Sequence, residues 1–166
     1  MDYDFLETPI GRLLLVCDEQ GLRHIEFPAA DQGDCIEPGW RRDRRHLGGA
    51  IEQLKAYFAG NLLAFDIALA ARGTDFRKTV WRELARIPYG ETISYGELAR
   101  RIGEPRASRA VGAANGANPL PIIVPCHRVI GANGKLTGFS GGLPIKQWLL
   151  DHERRFAPQP TLALAP

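Results

Sequence analysis

The chain has 166 residues, 45% hydrophobic and 24% charged, with a formal net charge of +2, which suits one large domain or two small ones with a buried core. No stretch approaches the ~18 consecutive apolar residues that a membrane span requires, and the acidic start Met1-Asp2-Tyr3-Asp4 lacks the basic head of a secretory signal. Three irregularly spaced cysteines argue against a disulfide framework, so the expectation is a soluble cytoplasmic protein with a free thiol. Charge is split along the chain. Residues 1–71 hold 7 Lys/Arg against 12 Asp/Glu, and residues 72–166 hold 14 against 7. A basic C-terminal half suits an anionic partner, nucleic acid foremost; uneven surface charge with no partner is the alternative.

Residues 5–28 read as a β hairpin: Leu13 to Val16 is apolar, Asp18-Glu19-Gln20-Gly21 has turn chemistry, and Leu22 to Phe27 alternates. Residues 28–48 read as a loop containing the run Arg41-Arg42-Asp43-Arg44-Arg45. Ile51, Leu54, Tyr57 and Phe58 fall at helical spacing, and Gly60-Asn61 ends that helix. The alternation of Phe65, Ile67 and Leu69 predicts another strand, and Ala70 to Thr74 is the expected boundary. The expected division is therefore 1–72, 73–157 and a Pro-rich tail at 158–166.

Beyond Asp75 the pattern turns helical. Phe76, Val80, Trp81 and Leu84 share one face, and Pro88-Tyr89-Gly90 is a stop. Ser94-x-x-Glu97 is a capping box, opening a helix with apolar positions Tyr95, Leu98, Ala99 and Ile102. After Gly103-Glu104-Pro105, a second helix covers about Arg106 to Asn115. Two short helices joined by a tight turn predict a helix-turn-helix. The second is rich in small residues, and Gly112 costs roughly 1 kcal/mol there. Tight helix packing or close approach of DNA would each explain it. A small-residue face with Arg109 suits the minor groove better than sequence readout in the major groove. The run at 121–130 is expected to be buried and extended, the five glycines of 131–142 to form a flexible or tightly turned loop, and Lys146 to Glu153 to form a last helix.

Pro125-Cys126-His127-Arg128 is the sharpest local feature. A thiolate is a strong nucleophile once a base or cation favours it. On an extended chain His127 would point away from the sulfur, so a bridging water or a kink after Pro125 is needed. His127 also needs an orienting carboxylate; Glu153 is the candidate and Asp151 the spare. A buried structural cysteine beside a satisfied histidine is the plain alternative. Cys17, His24, Cys35 and His46 could supply zinc ligands, but they match no paired-ligand spacing.

Three segments carry a resemblance. Ile87-Pro-Tyr-Gly-Glu-Thr-Ile-Ser-Tyr-Gly-Glu-Leu98, Ser108-Arg-Ala-Val-Gly-Ala-Ala-Asn-Gly-Ala-Asn-Pro119 and Ile123-Val-Pro-Cys-His-Arg-Val-Ile130 resemble the O6-alkylguanine-DNA alkyltransferases, also called methylated-DNA–protein-cysteine methyltransferases. The match runs from about Thr74 to Glu153. Residues 5–70 resemble the N-terminal domain of the single-chain bacterial members. The resemblance implies an α+β protein: a ribonuclease-H-like N-terminal domain, then a helical, winged-helix-like domain. It implies irreversible, single-turnover transfer of an alkyl group from O6-alkylguanine, and O4-alkylthymine, in duplex DNA to Cys126. No cofactor or metal is implied. The protein would be a monomer, with cooperative assembly on DNA as a further option.

The resemblance also assigns roles. His127 acts as a base through water, Glu153 orients it, Asn118 braces the turn before Cys126, and Tyr95 contacts the target base. Arg109 fills the space of the extruded nucleotide. Ser94, Ala110, Gly112, Ala113, Asn115 and Arg128 are further DNA contacts. Val129, Phe139 and Ser140 line the base pocket, with Phe139 standing where some relatives have tyrosine. The other readings are a non-transferring damage-sensing module, a transcriptional regulator and a Cys-His hydrolase. A Cys126→Ser change separates them.

Overall fold

The protein, seen in a computed structural model, is described over residues 1–27 and 35–159. The described part is mixed α+β. Strands β1 (Asp2–Thr8), β2 (Gly11–Asp18) and β3 (Gly21–Glu26) form an antiparallel meander, and the short β4 (Arg41–Arg42) joins in parallel, giving the order β3-β2-β1-β4. The expected hairpin thus gains a strand at its start. Asp2 lies opposite Cys17 and Asp4 opposite Leu15, on the face that Leu6 gives to the core. Both carboxylates are buried there and bound by the arginine run. Asp2 takes Arg41 and His46, and Asp4 takes Arg42 and Arg44. Of the segment read as loop, residues 28–34 lie outside the described ones, and Arg41 to His46 are pinned by these pairs, because a buried carboxylate needs a cationic partner.

Helix α1 (Gly48–Phe58) buries Ala50, Ile51, Leu54 and Tyr57 over the sheet. The strand expected at 65–69 is absent; only Leu22 bridges Leu69. The Gln53 side chain accepts from the Asp66 N–H and donates to the Asp66 carbonyl, both at 2.8 Å. The backbone of this segment is thus met by α1 through Gln53 and by β3, where the Leu22 N–H donates to the Ala68 carbonyl and the Ala70 N–H to the Leu22 carbonyl, both at 2.8 Å, a single bridge and no ladder.

Helix α2 (Asp75–Leu84) is capped by the Thr74 hydroxyl and ends before Pro88. Strand β5 (Ile93–Ser94) leads into α3 (Tyr95–Arg101), and α4 (Ser108–Gly116) follows the turn. The Ser94 hydroxyl accepts from the Glu97 N–H at 3.1 Å, while the Glu97 carboxylate holds Arg100 and Arg101. The Trp81 indole N–H donates to the Ala114 carbonyl at 2.8 Å, fixing α4 against α2. The helix-turn-helix expected from the spacing is present.

The run at 121–130 is buried but not extended. Residues 121–124 turn, with Ile122 at φ 75°, Cys126–Arg128 is a single 3-10 turn, and β6 (Val129–Ile130) then pairs in parallel with β5. An apolar β-branched run marks burial, whereas backbone direction here is set by local turns. The last helix, α5 (Leu143–Phe156), starts a turn earlier than expected. Residues from both halves, Leu13 and Ile51 as well as Val111 and Leu149, belong to one hydrophobic cluster. No described helix is long and apolar enough to cross a membrane. Most of the Pro-rich tail expected at 158–166 lies outside the described residues, from 160 onward.

Candidate active site

The site is built where three tight bends meet. Asn118 sets the first: its side-chain N–H donates to the Val124 carbonyl at 2.8 Å, and its oxygen accepts from the Leu120 N–H at 3.0 Å. Pro125, at φ −81° and ψ 65°, makes an inverse γ-turn, with the Cys126 N–H donating to the Val124 carbonyl at 2.8 Å. The 3-10 turn follows, so the kink that the sequence required after Pro125 exists. Ile122 is fully buried at positive φ, a region that disfavours branched side chains and marks stored strain.

Cys126 is 3% exposed. Burial pushes its thiol up to about 11, although Asn118, Lys146 and the local N–H groups pull the other way. The resting sulfur is therefore a protonated thiol that needs a base.

His127 is fully buried, and its Nε2 lies 2.7 Å from Oε1 of Glu153. Its other ring nitrogen, Nδ1, has no hydrogen-bond partner among the described residues. Burial holds the imidazole below its usual range, against the opposing pull of Glu153. Burial also disfavours the charge on Glu153, but His127 and Arg128 outweigh it and keep the carboxyl ionised well below the usual range. Arg128 donates from Nε and Nη2 to Glu153 at 2.8 and 2.9 Å, and from Nη1 to the Ile87 carbonyl. The Gly90 N–H adds a bond at 3.1 Å. A neutral imidazole with Nε2–H held by a carboxylate presents Nδ1 as an acceptor, which is the form a general base requires.

Two expected DNA contacts are corrected by this geometry. Arg128 is 6% exposed and fully engaged by Glu153 and Ile87, so it cannot reach a phosphate. Asn115 is also buried, facing the Cys126 carbonyl at 3.4 Å. Helical periodicity explains this: Val111, Ala114 and Asn115 form the inner stripe of α4, whereas Arg109, Ala110 and Ala113 face out. Arg109 has no ion pair among the described residues. A Cβ on Gly112 would meet the Tyr95 ring at 3.8 Å, an ordinary contact, so helix packing does not require this glycine.

Tyr95, at the start of α3, donates to the Thr137 carbonyl at 3.2 Å. Val129 is buried beside Cys126, while Ser140 lies exposed in the glycine loop. Phe139 packs on Phe27 at 5.3 Å between ring centroids. Asp151, the spare carboxylate, is exposed and bound to Gln147 and Arg154.

Lys146 was not legible as a site residue. It is fully buried, donates to the Val129 and Thr137 carbonyls at 2.6 and 2.9 Å, and thereby ties the glycine loop to the wall of the site. Its pattern signal was only that of a helical lysine. Of the residues whose spacing spoke against a zinc site, Cys17 is buried, His24 pairs with Glu26 and His46 with Asp2. No metal-competent cluster occurs among the described residues.

Comparison with known proteins places these features. Residues 75–155 match the family model described as 6-O-methylguanine DNA methyltransferase, DNA binding domain, and residues 1–71 match its ribonuclease-like domain. A methylated-DNA–protein-cysteine methyltransferase of Methanosarcina acetivorans is 53% identical, covering 92% of this chain and 98% of the relative. One from Mycolicibacterium paratuberculosis is also 53% identical, covering 95% of each. The crystal structure of Mycobacterium tuberculosis OGT in complex with DNA superposes with a TM-score of 0.87 at 50% identity, covering 95% of this chain and 96% of that one.

Proposed function

This chain belongs to the 6-O-methylguanine DNA methyltransferase family, and from that premise and the buried Cys126 site we infer its reaction and the part of each residue. It is a DNA repair protein, a methylated-DNA–protein-cysteine methyltransferase, that moves an alkyl group from the O6 atom of guanine to one of its own cysteines. The observation that carries the residue assignment is Cys126 next to a neutral His127 whose Nε2–H is fixed by Glu153 and whose Nδ1 is left to accept.

In the proposed step, the Cys126 proton passes through a water to Nδ1 of His127. The sulfur attacks the alkyl carbon, an S–C bond forms, and the C–O6 bond breaks with its electron pair going to the guanine. The Tyr95 hydroxyl, with N–H groups near Ser140, supports the charge and proton on the departing base. The product thioether resists hydrolysis, so each chain acts once. The target base lies inside the duplex and must be flipped out, at a cost of a few kcal/mol. Arg109 at the exposed start of α4 fills its place, and Ala110, Gly112 and Ala113 allow close approach of the groove. Ser94 adds a contact at the start of α3. Val129, Phe139 and Ser140 line the base pocket.

The finer architecture follows the family: a ribonuclease-H-like N-terminal domain over 1–72 and a winged-helix-like catalytic domain over 73–157. The free thiols suit the cytoplasm, and a monomer suffices for the chemistry. A damage-sensing module is not favoured, because the nucleophile and its base are assembled. Intact mass after incubation with an O6-methylguanine duplex tests the reading. One methyl group on Cys126 and no more is expected; no mass gain, or several groups per chain, overturns it.

A further inference from the structure

Tyr57 belongs to α1, in the half of the chain that does not contain Cys126, yet it reaches the reaction centre. Its side chain is fully buried, and its hydroxyl donates to Oε1 of Glu153 at 2.8 Å. That same oxygen receives Nε2 of His127 at 2.7 Å. The Tyr57 carbonyl accepts from Nε2 of His152, the preceding residue of α5, at 2.7 Å. Two consecutive residues of α5 are thus clamped by one residue of α1. The ring is fixed by Phe58, Phe65 and Tyr89 at centroid distances of 5.3, 5.5 and 6.0 Å. Gly60, just past α1, admits the Phe156 ring where a Cβ would lie 2.3 Å from it, so the clamp extends to the end of α5.

Building on the reaction proposed above, we propose that Tyr57 is a positioning residue, through which the N-terminal half sets the orientation and charge of Glu153 and hence the basicity of His127. Oε1 also accepts from Nη2 of Arg128 at 2.9 Å, so its charge is divided among a phenol, a guanidinium and an imidazole. Removing the phenol leaves Oε1 richer in electrons toward the two donors that remain, Arg128 and His127. The imidazolium is then better stabilised, and His127 keeps its proton to higher pH. The phenol stays a donor throughout, since burial and then the Glu153 charge push its own ionisation far up. The groups facing Glu153 are Tyr57 from α1, Tyr89 and the Gly90 N–H from the turn before β5, and His127 and Arg128 from the 3-10 turn. Those facing His127 are Glu153, Arg128 and Lys146, with Cys126 adjacent.

The test measures the rate of methyl transfer from an O6-methylguanine duplex across pH, in the full chain. Tyr57→Phe keeps the ring and loses only the hydroxyl. The expected result is about 5–10-fold slower transfer, with the acid limb of the profile moved up by roughly half a unit to one unit and duplex affinity unchanged. 3-Fluorotyrosine at position 57 is a stronger donor in an unchanged fold, and should move the limb down. Phe58→Leu trims the same aromatic cluster without touching Glu153, and should lower the melting temperature and leave the profile in place. An unmoved profile in both position-57 variants, or an equal shift in Phe58→Leu, would overturn the proposal. Wild-type protein that took up no methyl group would fail the reaction assignment itself, which separates the two results.

Discussion

At the scale of single residues, the site is governed by burial of charge. Glu153 is tolerated inside because Arg128, His127, Tyr57 and the Gly90 N–H all donate to it. Removing one partner of a buried ion pair leaves the other uncompensated, which costs about 3–5 kcal/mol. Arg128→Ala is therefore expected to lower unfolding stability by about that amount, measured by urea denaturation. A loss below about 1 kcal/mol would mean that the carboxylate relaxes to water. The same burial keeps Cys126 protonated at rest, so its reactivity depends on His127 and not on a low thiol pKa.

Among the elements, α4 separates a structural from a functional demand. Its inner stripe packs on α2, with Trp81 bonded to the Ala114 carbonyl, and its outer stripe is small and exposed. Gly112 has room for a methyl group, so alanine there should raise stability by roughly 0.5–1 kcal/mol through helix propensity. If the small surface exists for DNA, the same Gly112→Ala protein should bind duplex several-fold more weakly. Thermal melting and fluorescence anisotropy read the two effects. Gain of stability with unchanged affinity would remove Gly112 from the DNA contact.

For the molecule as a whole, one hydrophobic cluster joins the halves, and the Ile25 N–H donates to the Pro119 carbonyl at 2.9 Å beside the active loop. The buried titratable groups make stability depend on pH in a definite direction. Glu153 and His127 are both lowered on folding from ordinary values of 4.5 and 6.5. Their contributions are full above those values and are lost as pH falls below them. Cys126 is raised from 9.0 to about 11, so its contribution is full below pH 9 and is lost as pH rises toward 11. These three groups place the peak of melting temperature between about pH 6.5 and 9, with Lys146, lowered from 10.5 by burial, opposing the alkaline fall. Cys126→Ser should make the alkaline fall shallower, and an unchanged slope would count against the buried thiol as its source.

What could be read from the sequence was what local chemistry and period determine. The turn at 18–21, the stripes of α1 and α2, the Ser94 cap, the tandem short helices and the Pro-Cys-His-Arg run all lie within a few residues, and Glu153 was reachable as a carboxylate of the last helix. The structure alone decided what depends on distant partners. Arg128 and Asn115 were expected to contact DNA; only the position of Glu153 and the inner stripe of α4 turned them inward. The 65–69 segment alternates as a strand does, yet its backbone meets Gln53 and a single bridge to Leu22 in place of a ladder. Tyr57 read as one more apolar position, since periodicity reports that a side chain is buried and not which atom its hydroxyl meets. That meeting brings together residues 96 apart in sequence, and no local pattern encodes it.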